Sequence, residues 1–160
     1  QAHLSLALLQ HMTGLQFVHV PYRGSSPAIA AMLAGDIDLL FDASISSTSH
    51  IRAGSIRALA ITMNRRLAAL AEVPTLDEAG VPGYHLSVWN GVFTQSRVPQ
   101  PNLARLQAAF EASMDATMLQ RLRANAVEPL IVASADLPRW LAEDQARWMR
   151  IARETGIRPD

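Results

Sequence analysis

The chain has 160 residues, sets 14 arginines and no lysine against 14 carboxylate side chains, and is 49% apolar. A formal net charge of zero offers no broad basic face for nucleic acid or anionic lipid. The absence of cysteine removes disulfides, thiol nucleophiles and thiolate metal sites. No apolar run approaches the ~20 residues that a membrane-spanning helix requires, so the balance points to a globular fold with a core.

In chain order, Leu4, Leu8, Leu9 and Met12 recur at helical spacing and Gly14 follows as a stop, which predicts a first helix. That helix is already under way at Gln1-Ala2-His3-Leu4, so the chain is expected to begin inside a larger protein. Phe17, Val18 and Val20 around His19 predict a strand ending at Pro21. Tyr22 to Pro27 is a turn into a second helix, with Ser26 as N-cap, Pro27 at the first helical position and Gly35 as the end. Ile37 to Phe41 predicts a short buried strand with Asp42 at its C-terminal end. The serine-rich run from Ser44 to Ser49 opens a helix that stops near Gly54, and Ile56 to Thr62 predicts a third strand.

This strand–helix alternation over residues 15–62 predicts an α/β fold, in which ligands collect beyond the carboxyl ends of strands. Two segments fall there, Tyr22 to Ser26 and Asp42 to Ser47. Beyond residue 62 come a loop or weak helix to Val73, a helical turn from Pro74 to Gly80, and an extended crossing segment from His85 to Phe93. Two helices divided near Asp115 follow from Pro101 to Ala124, then a brief strand at Leu130 to Val132. A last helix runs from Ser134 or Ala135 to Thr155.

Few residues carry chemistry. Ser25 follows Tyr22-Arg23-Gly24 without the second glycine of a nucleophile elbow, so a small α/β hydrolase or transferase using Ser25 and a histidine stands only as the alternative. No two of the five histidines are three or four apart, and His3 and His11 share a face without an acidic neighbour, so neither a metal site nor a cofactor is implied. The start of the second helix, with free N–H groups and the hydroxyls of Ser25 and Ser26, suits an anion. Asp42 either faces a cleft or caps the next helix, and Trp89 packs.

Five segments in order resemble one family, the Bug-type solute receptors of tripartite tricarboxylate transporters. They are Val20-Pro21-Tyr22-Arg23-Gly24-Ser25-Ser26-Pro27-Ala28, Gly35-Asp36-Ile37-Asp38-Leu39-Leu40-Phe41-Asp42, and His50-Ile51-Arg52-Ala53-Gly54 with Arg57-Ala58-Leu59-Ala60. Val73-Pro74-Thr75 with Glu78-Ala79-Gly80, and Trp89-Asn90-Gly91-Val92-Phe93, complete the set. The resemblance implies a class II periplasmic-binding-protein fold. Residues 1–85 would form the second lobe, and 86–160 would cross back with C-terminal helices of the first lobe, whose strands are absent. It implies a periplasmic receptor, not an enzyme, that captures a small carboxylate for membrane transporter subunits. Carried over by position, Tyr22, Gly24, Ser25 and Ser26 would lie at the cleft with Asp42, which would meet a ligand amine or hydroxyl. His3 would stand at the end of a further ligand loop. The exposed half-fold could also self-associate.

Overall fold

The computed structural model describes residues 1–133 and 135–157. Six α-helices are present among them: α1 (Ala2–Thr13), α2 (Ser25–Ala34), α3 (Ser44–Arg52), α4 (Gln100–Ser113), α5 (Ala116–Ala124) and α6 (Leu137–Thr155), with a 3-10 turn at Ala68–Leu70. Apolar periodicity and local stop signals account for most of the boundaries. α1 ends where Gly14 turns left-handed (φ 74°) and its N–H reaches the Gln10 carbonyl at 2.8 Å. Asp115 separates α4 from α5 by accepting the Met118 N–H at 2.8 Å, an N-cap in the expected place. α6 begins at Leu137, with Ser134 outside the described residues.

One helix starts differently from the expectation. Gly24 (φ 102°, ψ 177°) caps α2, so Ser25 and Ser26 are already helical and Ser26 is not the N-cap. A positive φ is open to glycine, which lets the helix begin earlier than a cap at Ser26 would. Pro27 then falls within the first turn, where its missing N–H leaves nothing unbonded.

The segments expected as strands, Phe17–Val20, Ile37–Phe41, Ile56–Thr62 and Leu130–Val132, form no ladder among the described residues. A strand needs a paired neighbour as well as β-forming side chains. The sole pairing among the described residues is an isolated parallel bridge between Ile61 and Thr75, where the Ile61 N–H reaches the Pro74 carbonyl at 2.8 Å. A reciprocal pair closes the following turn. The Thr75 N–H donates to the Glu78 carboxylate at 2.8 Å and the Glu78 N–H donates to the Thr75 hydroxyl at 3.1 Å, while Arg66 adds 2.9 Å from its Nε. The backbone bond from Thr75 is the main reason Glu78 titrates below its ordinary range.

Two apolar clusters hold these elements. In the first, Leu8 and Leu9 of α1 meet Tyr84, Leu86 and Ile151 of α6, with Phe17, Phe41 and Trp148 against them. Tyr84 is fully buried and donates its hydroxyl to the Ser5 carbonyl at 2.8 Å, and burial pushes its phenol above the ordinary range. The second cluster gathers Leu67, Leu70, Val73 and Ala126. Ala126 adopts φ 58°, a left-handed conformation that alanine rarely takes. Burial of its methyl and a 2.6 Å bond from the Ser44 hydroxyl to its carbonyl hold it there. That contact pins the end of α5 onto α3, and Arg52 supports it with a 2.9 Å bond to the Ala124 carbonyl. By contrast, neither α4 nor α5 buries a single residue.

Candidate functional site

The sequence from Pro21 to Asp42 folds into a turn, a helix and a return segment, which brings Asp42 back beside the start of α2. The Asp42 carboxylate accepts a hydroxyl at each oxygen, from Ser25 at 2.5 Å and from Ser47 at 2.5 Å. Short O–H···O⁻ bonds of this kind are charge-assisted and strong for their class. Ser25 opens α2 and Ser47 is buried on α3, so one carboxylate ties two helix starts together. Asp42 therefore does not cap α3 in the usual way, since Ala43 holds that position and no side chain bonds there.

A cavity of about 780 Å³ opens over this cluster. His3, Tyr22, Gly24, Ser25 and Asp42 all line it, so five of the six expected binding residues converge there. Ser26 is exposed and does not line it, because the early helix start turns it outward. Asp36 and Asp38 also border the cavity, and among the described residues no arginine lines it. His3 from α1 stacks on His19 with ring centroids 4.0 Å apart and planes 4° from parallel. Ser47 and His19 are contributions that the sequence does not single out. Ser47 sits in the Asp42 to Ser47 segment with no signal of its own, and His19 reads only as part of a strand.

The Ser25 hydroxyl has one proton, and it goes to Asp42 rather than to a histidine acting as base. Among the described residues no group of three or more histidine or carboxylate side chains is arranged to hold a metal ion. Nor is any helix there long and apolar enough to cross a membrane. Away from the cavity, Trp89 packs edge-on against Trp140 at 5.3 Å and donates its indole N–H to Asp144 at 2.9 Å, so it packs as expected. A smaller cavity of about 280 Å³, between Leu130–Ala133 and the start of α6, contains none of the expected residues.

The family model described as the tripartite tricarboxylate transporter family receptor matches residues 1–157. The chain belongs to this family. The "UPF0065 protein in tcbD-tcbE intergenic region" of Pseudomonas sp. (strain P51) is 34% identical over 151 residues, covering 93% of this chain and 45% of that protein. Among solved structures, R. palustris Rpa4515 with adipate superposes with a TM-score of 0.94 at 33% identity, over 99% of this chain and 54% of that one. The periplasmic binding protein BugD superposes at 0.89 with 25% identity, over 99% and 54%. The chain thus spans about half the length of the relatives it matches. These are solute-binding receptors, and membership in their family displaces the alternative of a hydrolase or transferase built on Ser25.

Proposed function

We propose that the chain forms one wall of the ligand cleft of a periplasmic receptor, which captures a small carboxylate and hands it unchanged to transporter subunits. The observation that carries this reading is the convergence of His3, Tyr22, Gly24, Ser25 and Asp42 on one cavity large enough for such an acid. The adipate held by the R. palustris protein supports the ligand class, and the BugD likeness supports the compartment. In this reading the family's α/β, class II architecture applies, with residues 1–85 as the second lobe and 86–160 crossing back toward the first.

The chemistry of the wall divides in two. At the start of α2, backbone N–H groups and the positive end of the helix dipole suit a carboxylate. Beside it, Ser25 spends its proton on Asp42 and leaves only lone pairs for a ligand, while Ser47 donates to the same carboxylate from outside the cavity lining. That half of the wall accepts hydrogen bonds and repels anions, so it selects an acid that also carries a hydroxyl or an amine. A thermal-shift screen of plain dicarboxylates, hydroxy acids and amino acids tests this. One acid bearing a donor group should raise the Tm, and Asp42→Asn should weaken its binding by roughly tenfold, the equivalent of one charge-assisted bond. Unchanged affinity in Asp42→Asn would remove Asp42 from the site.

A further inference from the structure

We propose that two copies of this chain pair through the apolar surface around Trp140, in a symmetric dimer that joins like face to like face. The proposal is independent of the ligand reading and concerns a different part of the molecule. Its ground is an excess of surface. The chain exposes 11322 Å² for a mass of 17.4 kDa. A compact monomer of that mass exposes only about 7,900 Å², which leaves a surplus of roughly 3,500 Å². A standard interface takes about 800 Å² from each partner, and an obligate one about 1,000–2,500 Å². The surplus is therefore more than a stable dimer needs. With a formal net charge of zero, two copies also approach without mutual repulsion.

Trp140 of α6 makes this surface continuous. It meets Trp89 edge-on at 5.3 Å, Trp89 lies 6.1 Å from Phe93, and Trp140 shares the 280 Å³ cavity with Leu130 and Ile131. Phe93 is 68% exposed, Leu130 59% and Ile131 86%, although side chains of these types are among those most often buried. Asp136, Arg139 and Glu143 border the same cavity, and Arg139 pairs with Asp136 at 3.0 Å. Aromatic and aliphatic anchors inside a charged rim are how protein–protein interfaces are built. A two-fold axis over the patch brings Phe93 and Ile131 of both copies into one shared core and covers both faces at once. A head-to-tail contact would instead require a second matching surface and would leave one face open at each end.

Sedimentation velocity of the chain across micromolar concentrations should find a species of twice 17.4 kDa, and its Tm should rise with chain concentration. Ile131→Glu and Phe93→Glu should each return the chain to the monomer mass, because a carboxylate at the centre of the interface would be buried without a partner. Leu33→Glu, also at an exposed apolar position but on α2, which packs against α3, should leave the dimer intact. The chain has no cysteine, so Ile131→Cys and Leu33→Cys each carry a single thiol. A short bis-maleimide should link Ile131→Cys into dimers and leave Leu33→Cys unlinked, a readout that holds even where a glutamate variant fails to fold. The monomer mass at every concentration, a dimer that survives both patch variants, or equal crosslinking of the two thiols would overturn the proposal. So would loss of the dimer in Leu33→Glu, which marks unspecific apolar association, or growth beyond two copies, which marks head-to-tail contact.

Discussion

Residues 2–86 and residues 88–133 both leave large apolar side chains exposed, but only the first also packs a core of them. The first stretch buries Leu8, Leu9, Ile29, Leu67, Leu70, Tyr84 and Leu86, and it also forms the cavity. The second leaves Val92, Phe93, Leu106, Phe110, Leu130 and Ile131 exposed, and of its residues only Ala126 joins the buried core. α6 sides with the first stretch, through Ile151 and Trp148 against α1. One stretch packs a core beside the cavity while leaving Leu15, Val18 and Leu59 exposed, and the adjoining stretch buries almost nothing.

Truncation of apolar side chains tests this contrast with the largest expected effect. Leu9→Ala removes a buried side chain from the α1–α6 cluster and should cost about 2–5 kcal/mol in denaturant unfolding, whereas Phe110→Ala on α4 should cost under about 1 kcal/mol. Equal losses would mean that α4 is packed after all. Tyr84→Phe comes next, since it leaves the Ser5 carbonyl without its buried donor. A loss of about 1–2 kcal/mol is expected, with little change in the unfolding slope.

The link between the stretches is tested by Asp144→Asn. Asp144 is buried, accepts the Trp89 indole N–H and pairs with Arg147. The variant should lower stability by about 1–3 kcal/mol and shift tryptophan emission, because the anchor of the crossing segment weakens. An unchanged emission spectrum would show that Trp89 is held by packing alone. The smallest effect belongs to Glu78, which is exposed. Its carboxyl titrates below the ordinary range in the folded chain, so its contribution is present above the unfolded value of about 4.5 and is lost as the pH falls through the lowered folded value. The stability difference between the wild type and Glu78→Gln should therefore shrink on acidification, and a constant difference would argue against this ionised cap.

Much of the helical framework is legible in the sequence because its signals are local. Gly14 ends α1, Asp115 splits α4 from α5, and the apolar spacing of Trp148 and Ile151 marks α6. Strand pairing is a non-local property, and Val18, Val20, Ile37 and Ile131 have β-forming character without partners in a ladder. The start of α2 departs from expectation for a related reason. Gly24 takes a backbone angle that residue type permits without dictating, and Ser25 is claimed by a carboxylate seventeen positions away. In the site, Asp42 stands out by its place after an apolar run, while Ser47 and His19 acquire their roles only through tertiary contact.

Capture without chemistry at the cavity over Asp42 is tested by isothermal titration of the chain with a panel of small carboxylates, followed by mass analysis of the recovered ligand. An acid carrying a hydroxyl or amine should bind saturably, bind weakly or not at all in Asp42→Asn, and be recovered intact. Binding of none of the acids, or recovery of a converted product, would contradict it.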